Sequence, residues 1–133
     1  MRFLCMVRWE DGGPAPSPAE EDALIREHLA YDAGLRASGH LVESGALQLE
    51  QTATLVRVRN GKLSATDGPF VETKEHLGGF LLVEAESREE AIRIAAGIPS
   101  ARNGWIEVRP LRELDAELEP PEAQPTTHAS PEG

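Results

Sequence analysis

His28 and Asp32 stand four residues apart in a stretch of helical periodicity, so their side chains are neighbours on one helix face. An imidazole titrates near neutral pH, and a carboxylate beside it can orient and charge it, which is the chemistry of a general base. The same spacing equally suits a structural hydrogen bond on a half-exposed seam, and both readings stay open. A second concentration of chemistry lies in Asp67-Gly68-Pro69-Phe70-Val71-Glu72-Thr73-Lys74-Glu75-His76-Leu77-Gly78-Gly79-Phe80, where five ionisable side chains sit between two strand-like runs. Gly68 and Pro69 bend the backbone there, as in the rim of a small polar site. Asp67 can cap an Asx turn or touch a ligand. Glu72 and Lys74 share a face if the segment is extended, as an ion pair or as acid and base. Glu75 and His76 read as solvated. His40, just past a helix stop, suits either a contact with the helix dipole or a pocket wall.

Other chemistries lack their residues. His28 and Asp32 offer two metal ligands with no third at an evident spacing, so no metal is expected. Gly78-Gly79 opens a strand rather than a helix, which rules out a phosphate loop or dinucleotide fingerprint, and no Gly-x-Ser-x-Gly elbow is present. No cofactor is expected.

The elements that must position these groups follow from pattern. Residues 2–9 alternate with apolar side chains on both faces, as in a strand buried on two sides. Ser17-Pro18-Ala19-Glu20 is a capping box with proline at the first helical position, starting a helix over 18–38 that Gly39 stops. Its apolar arc has Leu24, Tyr31 and Leu35 on one side, Ile25 and Leu29 on the other, and His28 and Asp32 between them. Residues 40–47 hold a short strand. Residues 52–59 and 62–66 flank Asn60-Gly61 and form a β-hairpin. Residues 79–85 read as another central strand. Ser87-Arg88-Glu89-Glu90 starts a second helix whose Ala91, Ile92, Ala95 and Ile98 cover a sheet, ended by Gly97 and Pro99, and residues 105–109 are a last strand. Trp9 and Trp105 are expected in the core or an interface.

Strand, long helix, strand, hairpin, strand, helix, strand is an α+β split β-α-β pattern with a hairpin inserted at its middle. Two helices cover only one face of such a sheet, yet two strands are apolar on both. A second copy of the chain is the simplest cover, giving a two-fold homodimer.

At 133 residues the chain suits one core, formed by residues 1–114. Residues 115–133 carry five acids, four prolines and no Lys or Arg, and read as an acidic, disordered tail. The formal charge of −10 argues against nucleic acid or anionic membrane as a partner. Apolar runs are too short to span a bilayer, and the lone Cys5 sits in an apolar run as an inert thiol, so a cytoplasmic protein is expected.

The run from Asp67 to Glu75, followed by Leu77-Gly78-Gly79-Phe80, resembles the signature of the YCII-related proteins of the DGPF type. Phe3-Leu4-Cys5, His28-Leu29-Ala30-Tyr31-Asp32, Ser38-Gly39-His40-Leu41, Ile98-Pro99-Ser100-Ala101-Arg102 and Val108-Arg109-Pro110 agree with it. The resemblance implies a ferredoxin-like fold associating as a dimeric α+β barrel, similar to muconolactone isomerase, with a pocket between sheet and helix. Some relatives act on chlorinated aromatic ring-cleavage or hydroquinone-type compounds with a His and Asp pair, and DGPF proteins often accompany extracytoplasmic-function sigma factors. This chain departs at His76, where Gln is commoner, at Val71 for Ala, and at Leu81 for Tyr.

Two functions are therefore expected as alternatives. One is a cofactor-free lyase, isomerase or dehydrohalogenase with His28 as base and Asp32 orienting it. Tyr31, His40, Asp67, Glu72 and Lys74 would contact the ligand, and Lys74 or backbone N–H groups near Gly68 would steady an enolate-like intermediate. The other is a non-catalytic regulatory module partnering a sigma factor.

Overall fold

Alternation along β1 (Arg2–Glu10) organises the computed structural model, which describes residues 1–68 and 75–118. Phe3, Cys5 and Val7 are buried and Leu4 and Met6 half-buried, as in a strand inside a sheet. The chain continues through α1 (Pro18–Ala37), β2 (Leu41–Ala46), β3 (Thr54–Arg59), β4 (Lys62–Asp67), β5 (Glu75–Glu84), α2 (Arg88–Ala96), β6 (Trp105–Pro110) and the single turn α3 (Leu114–Glu117). Short 3-10 turns lie at Glu50–Thr52 and Pro99–Arg102. Strands β2, β5, β1 and β6 form one antiparallel sheet in that order, which is the ferredoxin-like arrangement, and β3 and β4 pair apart from it as a hairpin. The two strands expected to be central, β1 and β5, are the inner pair.

One face of the sheet makes the core. Phe3, Cys5, Val7, Leu81 and Val83 pack against Leu35 of α1, Ala91, Ile94 and Ala95 of α2, and Ile98. Burial of each large aliphatic side chain contributes about 1.5–3 kcal/mol. It also pushes the Cys5 thiol up to about 11, so this cysteine is a small hydrophobe rather than a nucleophile.

Local signals place the helices. Ser17 Oγ accepts the Glu20 N–H at 3.1 Å while the Glu20 carboxylate accepts the Ser17 N–H at 2.8 Å, with Pro18 at the first helical position. At the other end Gly39 takes φ +83°, which stops the helix. Ser87 caps α2 in the same way, but the Glu90 carboxylate accepts from Glu86 N–H at 2.7 Å, one residue earlier than a capping box requires.

Several expectations change. The inward stripe of α1 is Leu24, His28, Tyr31, Asp32 and Leu35, while Ile25 and Leu29 are 52% and 64% exposed. The arc is therefore used only on the His28 side. In α2, Ile94 is buried and Ile92 points out, because only one of the two apolar rows meets the sheet. Strand β5 starts at Glu75 rather than Gly79, since Glu75, His76 and Leu77 pair with Glu10, Trp9 and Arg8. Neither Trp9 nor Trp105 is in the core.

The opposite sheet face has no helix on it among the described residues. Register places Leu4 beside Leu82 and Met6 beside Phe80 there, all half-buried. The Phe80 ring lies over Gly45, where a Cβ would come within 2.8 Å of it. Arg8 and Arg109 both bond Glu107 along the β6 edge and hold its carboxyl below the usual range, Arg109 contributing more.

Candidate functional site

The inner stripe of α1 carries two ionisable groups past the sheet. His28 Nε2 lies 2.7 Å from Ser100 Oγ, on the 3-10 turn that Pro99 opens after α2. One helical turn on, Asp32 Oδ2 accepts the Ser44 hydroxyl of β2 at 2.8 Å. Asp32 Oδ1 is buried and has no donor among the described residues. No hydrogen bond joins His28 to Asp32, so the two are splayed, each tied to a serine on a different element.

Burial lowers the His28 pKa from its ordinary value; Asp32 and Glu27 pull it up and Arg102 adds to the lowering. The net direction leaves the ring neutral at pH 7 and able to accept a proton, with the Asp32 carboxylate one helical turn away to stabilise the imidazolium that forms. Arg102 is itself paired with Glu27 at 2.8 Å, which places an ion pair at the margin of the site.

Tyr31 shares the helix face. Its hydroxyl donates to the Ile94 carbonyl at 2.5 Å, and the ring occupies the space a Cβ at Gly97 would need. Burial, with a smaller push from Cys5, raises its pKa. Tyr31 therefore braces α1 against α2. His40 lies elsewhere: it precedes the first residue of β2, whereas Asp32 meets Ser44 farther along the strand. Its Nδ1 is 2.7 Å from Ser38 Oγ and its Nε2 is 3.3 Å from Glu90. It borders an open hollow of about 320 Å³ together with Met1, Glu84 and Glu86. Asp67 ends β4, with Oδ1 3.4 Å from Thr54 Oγ1 across the hairpin. Glu72 and Lys74 fall outside the described residues, as does the tail from residue 119.

His76 is not the solvated residue expected. Nδ1 is 2.9 Å from Glu50 and Nε2 2.8 Å from Asp11, and the ring stacks on Trp9 with centroids 4.2 Å apart. The hydrogen bond its ring N–H donates to the Glu50 carboxylate, seconded by Asp11, raises its pKa. One imidazolium thus clasps the loop after β1, the turn after β2 and the start of β5. Position 76 alternates with Gly78 and Phe80, and that periodicity is the signal that could have placed it on a strand. Ser44 and Ser100 carry no such signal, because a hydroxyl becomes part of a site only through the fold.

Residues 1–115 match the YCII-related domain. The chain belongs to the YCII-related family. This YCII-related chain is 34% identical over 97 residues to an uncharacterized protein of Rhizobium meliloti (strain 1021), covering 71% of its own length and 78% of that protein. It also resembles the solved structure of 5-chloro-2-hydroxyhydroquinone dehydrochlorinase from Burkholderia phenoliruptrix AC1100 in complex with 2,5-dihydroxybenzoquinone. That match has a TM-score of 0.45 and 22% identity, over 84% of this chain and 94% of that one. Among the described residues of the YCII-related chain no group of three His, Cys, Asp or Glu side chains could hold a metal ion, and no helix is long and apolar enough to cross a membrane.

Proposed function

We propose that this YCII-related protein binds a small polar or aromatic molecule beside the inner face of α1 and moves a proton on it without a cofactor. His28 is the base. Asp32 supplies the negative charge that steadies the imidazolium, and Glu72 and Lys74 of the charged run meet the polar end of the ligand. The observation that carries this reading is the placement of a neutral-leaning imidazole one turn from a carboxylate whose Oδ1 is buried without a donor among the described residues. A buried acceptor left unpaired costs about 1–3 kcal/mol, which a donor on a bound ligand would offset. The working unit is a two-fold dimer, because Leu4, Met6, Phe80 and Leu82 form an apolar sheet face that no helix covers among the described residues.

The test is a thermal-shift screen of small aromatic acids and 1,3-dicarbonyl acids on the native protein and on His28→Ala. Hits that stabilise the native protein and lose their effect in the variant support the site; a hit whose shift survives unchanged overturns the base assignment. Following each hit in deuterated water by NMR then separates two outcomes. Exchange of a carbon-bound proton marks an enzyme, and binding without exchange marks a sensor module.

A further inference from the structure

The turn that ends α1 gathers a second group of reactive side chains, away from His28 and Asp32. Gly39, with φ +83°, reverses the chain, so that Ser38 and His40 on either side of it become neighbours. Ser38 Oγ lies 2.7 Å from His40 Nδ1, and His40 Nε2 lies 3.3 Å from Glu90 Oε2 in the first turn of α2. Hydroxyl, imidazole and carboxylate thus form one line through both ring nitrogens. All three residues border the open hollow of about 320 Å³.

The partners fix where the protons sit. Glu90 Oε1 accepts the Glu86 N–H at 2.7 Å, and that bond, ahead of the contact with His40, holds the carboxyl below the usual range. An ionised carboxylate only accepts, so Nε2 carries the ring proton of a neutral His40. Nδ1 then turns a lone pair to Ser38 Oγ, and at 2.7 Å the hydroxyl proton lies between them. The Leu35 carbonyl, 3.0 Å from the same Oγ, is the rival acceptor. It already accepts the His40 N–H at 2.9 Å, so turning the hydroxyl to the ring orphans no backbone group. The order is nucleophile, base, orienting acid.

We propose that Ser38 is the nucleophile of this line and takes the acyl group of a small neutral ester, with His40 as its base and Glu90 positioning the ring. Ser38 Oγ bonds to the carbonyl carbon as its proton passes to His40 Nδ1. The bond from that carbon to the alkoxy or aryloxy oxygen breaks, and the leaving oxygen takes the proton from His40. Water then attacks the acyl carbon, giving its proton to His40, which returns it to Ser38 Oγ as the carboxylic acid departs. Glu90 stays ionised throughout and steadies the imidazolium. Neutral esters are favoured over anionic ones because Glu86 and Glu90 bring negative charge to the hollow, while Glu84 is already paired with the Met1 ammonium and Arg2. The inference is independent of the site at His28.

The full chain is incubated with 4-nitrophenyl acetate, release of 4-nitrophenolate is followed, and the digested protein is mapped by mass spectrometry. The native protein must carry acetyl on Ser38, and Ser38→Ala must lose the corresponding burst. His40→Ala is expected to slow acetylation of Ser38 by at least about a hundredfold, the lower end of what a positioned base supplies, and free imidazole restores part of the rate. Glu90→Gln leaves Nε2 an acceptor but removes the charge, and is expected to slow acetylation by at least about tenfold, whereas Glu90→Asp recovers part of it. The anionic 4-nitrophenyl hydrogen succinate should react at least about threefold more slowly than the acetate. Acetyl found only on amines or on Ser100, no acetyl at all, or a rate at Ser38 that His40→Ala leaves unchanged overturns the nucleophile. Equal rates in native, Glu90→Gln and Glu90→Asp overturn the role of Glu90, and equal rates for the two esters overturn the preference for neutral ones. The map of the native protein is decisive by itself should a variant fail to fold.

Discussion

His28 Nε2 is held 2.7 Å from Ser100 Oγ, and Asp32, the carboxylate one helical turn away, makes no hydrogen bond to the ring. The imidazole is therefore positioned by the turn after α2, and the carboxylate acts on it through its charge alone. Ser100→Ala removes the only hydrogen bond the ring makes among the described residues and is expected to lower stability by about 1 kcal/mol. Urea unfolding measures this, and a loss indistinguishable from zero would show that packing, not Ser100, sets the ring.

Asp32→Asn separates charge from shape. The amide keeps an acceptor for Ser44 and takes a charge out of a half-buried position, so stability should hold within about 1 kcal/mol of native. The Asp32 charge raises the His28 pKa, so its removal must move the His28 titration further down. NMR titration of the ring protons reads this directly, and an unmoved or raised midpoint contradicts the arrangement.

The native His28 itself should titrate below the ordinary 6.5, because burial favours the neutral ring. A group whose folded pKa is depressed in this way makes the protein lose stability as pH falls below the unfolded value towards the folded one. His28→Gln should therefore flatten the acid side of the Tm profile over that window.

His76 runs the other way. Its pKa is raised above 6.5 by Glu50 and Asp11, so its stabilisation is complete below the unfolded value and lost as pH rises through the folded one. The Tm deficit of His76→Gln against native should be largest near about pH 6 and shrink towards about pH 9. A deficit that grows with pH would show that the clasp does not depend on the imidazolium.

Gly97 makes room for Tyr31. Gly97→Ala drives a methyl into the ring and should cost about 1–3 kcal/mol, more than Tyr31→Phe, which removes only the hydroxyl bond to Ile94 and should cost about 1 kcal/mol. Along α2, Ile94→Ala should cost about 2–5 kcal/mol and Ile92→Ala under about 1, since only Ile94 is buried. Urea midpoints of these four variants rank the contacts.

Residue order by itself determined the secondary structure and its topology, because those signals are local. The Ser17 cap, the Gly39 stop, the Asn60-Gly61 turn and the two-sided hydrophobicity of β1 act within a few residues of themselves. They suffice to mark a split β-α-β with an inserted hairpin. They also singled out His28 and Asp32, since a spacing of four fixes a shared helix face. What only tertiary structure decided is which atoms those faces meet. Helical periodicity allowed α1 to bury either Ile25 and Leu29 or the His28 stripe, and the sheet took the latter. Ser44 and Ser100 entered the site because β2 and the turn after α2 pass beside α1, at 12 and 72 residues' separation. His76 became a charged clasp because Asp11 and Glu50, remote in the chain, converge on it. Hydrogen bonds and charges act over a few ångströms in space whatever the distance along the chain, so partners of this kind appear only once the chain has folded.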